Sequence, residues 1–151
     1  MIGRPTTEQV LLDCCRVLAD VLPEVADETT VVRLVMLEKV LRNAAVRAAH
    51  EIAWMREETA AIQAYAGAVE AVTADGALQA ALAELAAGPH AGLHLDDVTE
   101  VYCRAGDVLS AALEAALAAG REDLVRDGEA VLAARLEHEH RIVGGWDSAG
   151  R

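Results

Sequence analysis

The chain has 151 residues, 54% of them hydrophobic, and a net charge of -12. That length allows one domain with a real core, and the acidic balance argues against nucleic acid, whose phosphates demand basic surface, and against anionic membranes. Aromatic side chains are confined to Trp54, Tyr65, Tyr102 and Trp146, Phe is absent and much of the apolar content is alanine, a composition that suits closely packed helices and suits a β-sandwich poorly.

The first helix is expected to start at Thr6, after Pro5, because Thr6-x-x-Gln9 has the form of a capping box. Val10, Cys14, Val17 and Val21 recur at helical spacing, with Leu11, Leu18 and Leu22 widening the stripe. This reading puts Cys14 on the core face and Cys15 on its flank. Pro23 ends the helix. With Cys103 the cysteines number three, an odd count without a CxxC pattern. That is no disulfide framework, and reduced thiols are expected.

Asp27 is the expected cap of a long second helix. Its stripe is Val31, Leu34, Glu38, Leu41, Ala45, Ala48, Ile52 and Met55, in the alternating three-and-four spacing of bundle packing. Glu38 interrupts that stripe, and Arg42, one turn on, is its simplest partner. A second line, Asn43, Arg47, His50 and Trp54, shares another face. Continued to Thr73 without a break, the helix would span about 70 Å, so a bend is expected near Arg56–Thr59, where Glu57-Glu58-Thr59 has the character of a fresh helix start; no Gly or Pro marks it, and a long straight helix used in a dimer is the alternative.

Ala74-Asp75-Gly76 is a stop. A short helix fits Ala77–Ala87, closed by Gly88-Pro89. Asp97-x-x-Glu100 is the expected cap of the next helix, whose stripe is Val98, Val101, Ala105, Val108, Ala112 and Ala116, with Tyr102, Leu109, Leu113 and Leu117 beside it. Gly120 ends that helix. The last runs from about Glu122 to Val143, with Leu124, Gly128, Val131, Leu132, Leu136, Ile142 and Val143 apolar, and Gly144-Gly145 stops it. Residues 144–151 form a loose tail from which Trp146 is expected to pack back. The fold class is therefore all-α: an up-and-down bundle of about five helices with a long second helix, in a single domain over 1–151. MIGRPTTEQ lacks a signal-peptide pattern, and the uncharged run Thr59–Val69 is too short for a membrane span, so a soluble, cytoplasmic chain is expected.

Two sets of side chains are candidate sites. Glu38, Asn43, Arg47, His50 and Trp54 form the candidate ligand-binding face. His50, Glu51, His138 and His140 form the candidate set for a divalent transition metal such as zinc or nickel. A di-iron site needs two Glu-x-x-His pairs, and only Glu137-x-x-His140 is present. His138 and His140 lie about 200° apart on a helix. His90 and His94, with Asp96 or Asp97, are better spaced but sit on a loop. Ser110 and Ser148 lack the context of a nucleophile elbow, and no glycine-rich phosphate loop precedes a helix.

RPTTEQVLLDCCRVLADVLPEV, VLRNAAVRAAHEI and VLAARLEHEHRIVGGW, in that order, resemble the opening, second-helix and closing segments of a family of small, uncharacterised bacterial helical proteins. Members of that family tend to be encoded beside acyl-CoA dehydrogenases and aminoglycoside-phosphotransferase-like kinases. A His ahead of the Asn43 segment and an Asn-Pro-type ending, both features of the family, are missing here. The resemblance implies an accessory role beside a kinase or an acyl-CoA enzyme and carries over no catalytic residue. The functional expectation is a non-enzymatic bundle that contacts another protein or a second copy of itself, as a homodimer or larger homo-oligomer, with no cofactor. The alternative is a metal- or small-ligand-binding bundle that uses His and Glu side chains.

Overall fold

The computed structural model describes residues 4–88 and 92–144, and the described chain is all-α. Five α-helices follow in order: α1 (Thr7–Val21), α2 (Glu28–Thr73), α3 (Gly76–Ala86), α4 (Leu95–Ala118) and α5 (Glu122–Val143), with a short 3-10 turn over Leu22–Glu24 after α1. The described residues form two compact units, 4–51 with 139–144, and 52–138. Both α2 and α5 contribute to each. His90 and Trp146, two residues of the sequence reading, lie outside the described residues.

Local chemistry explains the helix ends. Thr6 and Gln9 form the expected capping box, Thr6 Oγ1 accepting from Gln9 N–H at 3.2 Å and Gln9 Oε1 from Thr6 N–H at 2.9 Å. Pro23 has no N–H to continue the ladder, and the 3-10 turn forms there. Asp27 caps α2 by accepting from Thr30 N–H at 2.8 Å and from its hydroxyl at 2.6 Å. Ala74 ends α2 in the left-handed region, φ 48°, and Asp75 caps α3 through Ala77 and Leu78 N–H. Gly120 (φ 65°) and Gly144 (φ 69°) follow α4 and α5, the conformation that glycine adopts without cost.

Three expectations on the elements are corrected. The helix α2 is continuous through Arg56–Thr59. No Gly or Pro interrupts the run, and the Thr59 hydroxyl bonds back to Met55 C=O at 2.7 Å, within the helix, instead of capping a new one. The helix α4 begins at Leu95 with His94 at the cap position and no side-chain cap bond. Asp96 and Asp97 lie in its first turn, where acid still favours the dipole, and Asp97 turns towards Gly92, where a Cβ would meet its carboxylate.

The third correction concerns α1. Cys15 is buried at 1% exposure, whereas Cys14 is exposed. Leu11, Leu18 and Leu22 turn inward with Cys15 while Val10, Val17 and Val21 are exposed. Two apolar stripes of equal period compete on this helix, and the one carrying the larger leucines wins the buried side. Cys15 Sγ lies 3.7 Å from Glu38 C=O, which ties α1 to the first half of α2. In that unit Ala45 and Ile142 are the other buried apolar residues, and Ala48 of the expected stripe is exposed.

The second unit holds the main core. Ile62, Tyr65, Ala66 and Val69 of α2 meet Leu78 and Leu85 of α3, Ala105, Val108, Leu109, Ala112, Ala115 and Ala116 of α4, and Leu124 of α5. Alanines on α4 let the helices approach closely, and Gly128 does the same on α5: a Cβ there would lie 2.7 Å from Tyr65 Oη and 2.5 Å from Leu113 Cδ2. Leu117, Leu132 and Leu136, expected to be apolar contributors, are 63%, 39% and 59% exposed.

Candidate functional site

Two features stand out, one in each unit. In the second unit a buried carboxylate gathers donors from two other helices. Trp54, Glu58, Ile62, Tyr65 and Val69 follow one another at three- and four-residue spacing on α2, all buried, so Glu58 sits within an apolar stripe. A carboxylate in that position must be paired. Tyr102 of α4 donates to Glu58 Oε2 at 2.6 Å. Arg135 of α5 places Nε 3.3 Å from the same oxygen and donates to the Tyr102 hydroxyl through Nε and a terminal nitrogen at 3.1 and 2.8 Å. His138, one turn along α5, sets Nδ1 2.7 Å from Glu58 Oε1, and its ring stacks on Trp54, centroids 4.7 Å apart and planes 7° from parallel.

Burial, reinforced by the bond to Glu58, holds the Tyr102 phenol above its usual range, with Arg135 pulling the other way. Tyr102 is therefore a protonated donor at neutral pH. Both oxygens of Glu58 are used, and the Arg135 guanidinium also lies over the Tyr102 ring, 5.1 Å from its centroid. The arrangement fixes the tautomer and the plane of His138 and ties α2, α4 and α5 together.

Of Glu58, Tyr102, Arg135 and His138, only His138 is a candidate from the sequence; the other three are not. A signal was present. Glu58 interrupts an apolar stripe as Glu38 does, and Arg135 and His138 are spaced to meet it from one helix face.

Of the expected ligand-binding face, Glu38, Asn43 and Arg47 have separate partners in the first unit. Glu38 pairs with Arg42, as proposed from their spacing, and its side chain is 20% exposed. Asn43, with its carboxamide nitrogen turned to the carbonyls, donates to Ile142 C=O at 2.8 Å and to Lys39 C=O at 3.3 Å, which holds the last turn of α5 against α2. Arg47 bridges to Glu51 at 2.7 Å. His50 is exposed. Trp54 belongs to the second unit, buried against His138. Of the expected metal set, His50, Glu51 and His140 fall in the first unit and His138 in the second; Glu51 and His138 are engaged as described, and His140 is exposed. Among the described residues no three His, Cys, Asp or Glu side chains form a group able to hold an ion, and no helix is long and apolar enough to cross a membrane.

The second feature is aliphatic surface. Val10, Leu12, Val17 and Val21 of α1, and Val32, Val35, Met36, Leu37 and Val40 of α2, are each 37–62% exposed, and all fall in the first unit. On α2 the set Val32, Val35, Met36 and Val40 lies on one side. Lys39, Asn43 and Val46 continue that side, and they are partly buried where the end of α5 approaches Asn43. The helix α5 ends at Val143, and the stripe before Asn43 is open. Searches against family models, curated proteins and solved structures returned no match to this chain.

Proposed function

We propose that this chain is a non-enzymatic helical protein that works by contact with another protein, through the aliphatic surface of α1 and the first half of α2. One observation carries the reading. Nine large aliphatic side chains stay exposed within a unit whose buried apolar residues are Cys15, Ala45 and Ile142. Exposed apolar surface concentrated in this way is the mark of an interaction site. The polar cluster around Glu58 is internally satisfied, which fits a structural lock. The resemblance of the three segments supports an accessory role beside a kinase or an acyl-CoA enzyme.

The test is sedimentation of the purified protein together with retention assays in extract of the source cell, for the wild type and for Val17→Glu and Met36→Glu. The wild type should self-associate or retain a partner, and at least one variant should lose that association while keeping its helicity and melting temperature. A strict monomer that retains nothing overturns the reading.

A second reading, ligand or metal chemistry by His and Glu side chains, draws on the Glu58–His138 contact, a histidine held in one orientation by a buried carboxylate. Elemental analysis of untagged protein that finds no transition metal, with a melting temperature unmoved by zinc or nickel, removes its metal form.

A further inference from the structure

We infer that the open stripe of α2 pairs with the same stripe of a second copy, the two helices antiparallel about a two-fold axis at Met36. This inference rests on the contact reading above and names its partner.

Three observations lead to it. The first is the symmetry of the stripe. Val32 and Val40 lie four residues to either side of Met36, with exposures of 62%, 59% and 59% for Val32, Met36 and Val40. A two-fold interface must be self-complementary, so that residue i meets j and j meets i. Antiparallel pairing at Met36 sets Val32 of each copy against Val40 of the other and Met36 against itself.

The second is charge. Residues 1–51 carry six Arg and Lys against eight Asp and Glu, net -2, whereas residues 52–151 carry seven against seventeen, net -10. Two copies repel over most of their surface, and the near-neutral segment is where they can approach. Asp27 at the cap and Glu28 in the first turn put acid before the stripe, Arg33 lies within it, and after Met36 the bases Lys39, Arg42 and Arg47 against Glu38 and Glu51 leave the stretch to residue 51 at net +1. Antiparallel pairing brings the acidic end of one helix towards the basic end of the other, and parallel pairing brings like ends together.

The third is position. The end of α5 covers this side of α2 at Asn43 and stops there, so the same side is an established packing surface for a helix in one stretch and open in the next. Val32, Val35, Met36 and Val40, each 44–62% exposed, are a small patch beside the ~800 Å² that each partner buries in a standard interface. The dimer is therefore weak and reversible, not obligate.

The experiment is sedimentation equilibrium of the full chain from micromolar to near-millimolar concentration. The wild type should rise reversibly from 15.9 kDa towards twice that mass. Met36→Glu should stay monomeric with unchanged circular dichroism, and Leu117→Glu, on exposed α4 surface in the second unit, should still dimerise. In a Cys14→Ser/Cys103→Ser background, Met36→Cys should form an intermolecular disulfide on mild oxidation. Val32→Cys should form none alone and should cross-link once Val40→Cys is added to it. A Val32→Cys homodisulfide without a Met36→Cys one overturns the antiparallel register. A strict monomer whose Met36→Glu variant loses another retained protein overturns self-pairing and leaves the contact reading standing. A strict monomer that retains nothing overturns both.

Discussion

The imidazole of His138 lies flat on the indole of Trp54, centroids 4.7 Å apart, while its Nδ1 reaches Glu58 at 2.7 Å. The stack and the hydrogen bond fix one ring from two directions, so His138 is held by α2 alone on two of its sides. Glu58 is in turn the acceptor for α4 through Tyr102 and the ion-pair partner of α5 through Arg135. Removing the carboxylate leaves three donors without their shared acceptor.

Glu58→Ala is expected to destabilise by about 3 kcal/mol, the scale of breaking a buried pair by deleting one partner. Glu58→Gln keeps the shape and an acceptor oxygen and should cost less. Urea denaturation followed by circular dichroism checks this, with a lower midpoint and an unchanged slope. If both variants unfold at the wild-type midpoint, the cluster contributes no stability and its role is elsewhere.

The fit of Tyr65 against Gly128 gives a paired test. The Tyr65 hydroxyl is buried with no hydrogen-bond partner among the described residues, and burial, helped by the negative charge of Asp127, keeps its phenol protonated above the usual range. Tyr65→Phe removes an unpaired polar atom and should leave stability unchanged or raise it by up to about 1 kcal/mol. Gly128→Ala gains helix propensity but drives its methyl into Tyr65 and Leu113, and overpacking of this kind costs about 1–3 kcal/mol. Thermal melts of the two variants should move in opposite directions or, for Tyr65→Phe, not at all. A stabilised Gly128→Ala would show that the helices separate easily there.

Thiol reactivity reports the rotation of α1. Cys14 and Cys103 are exposed and Cys15 is 1% exposed. A thiol reagent should modify two cysteines quickly in the native protein and the third only on unfolding, and Cys15→Ser should abolish the slow phase. A fast Cys15 with a protected Cys14 would place the helix the other way round.

Those two cysteines also show how far the sequence reaches. The helices, their order, the Thr6 and Asp27 caps and the stops at Asp75 and Gly120 follow from capping chemistry and periodicity, which act within a few residues. The choice between the Cys14 and Cys15 faces does not, because both stripes are apolar and tertiary packing decides. The break expected at Arg56–Thr59 rested on compactness, a global argument, and the absence of any helix breaker in the run outweighed it. The Glu58 cluster was half legible. An interrupted stripe on α2 announces a buried acid, but its partners Tyr102 and Arg135 lie 44 and 77 residues away, and no local pattern links them.

Ala74 offers a stabilising change. Its φ of 48° closes α2 in a region where a Cβ costs about 1 kcal/mol or more. Glycine adopts it freely, at a smaller cost in unfolded-state entropy. Ala74→Gly should therefore raise stability by a few tenths to about 1 kcal/mol, read as a rise in melting temperature. A drop would mean that the turn relaxes away from the left-handed region.

Acid and alkali should act on different groups. The Asp27 carboxyl is held below its usual value by the hydrogen bonds from Thr30, the side-chain one foremost, and Asp123 is lowered to about 2 by its bond with Arg121. A folded-state value below the unfolded one gives stability that is present above the unfolded value, near 4, and is lost as pH falls through the folded one. The gap in melting temperature between wild type and Asp123→Asn should thus shrink from pH 4 towards 2, and that for Asp27→Asn should shrink with it. Tyr102 runs the other way. Its raised value means stability that is complete below pH 10 and lost as pH rises through the folded value, so the advantage of wild type over Tyr102→Phe should fade only in alkali. Gaps that stay constant across both ranges would show that these contacts do not distinguish the folded chain from the unfolded one.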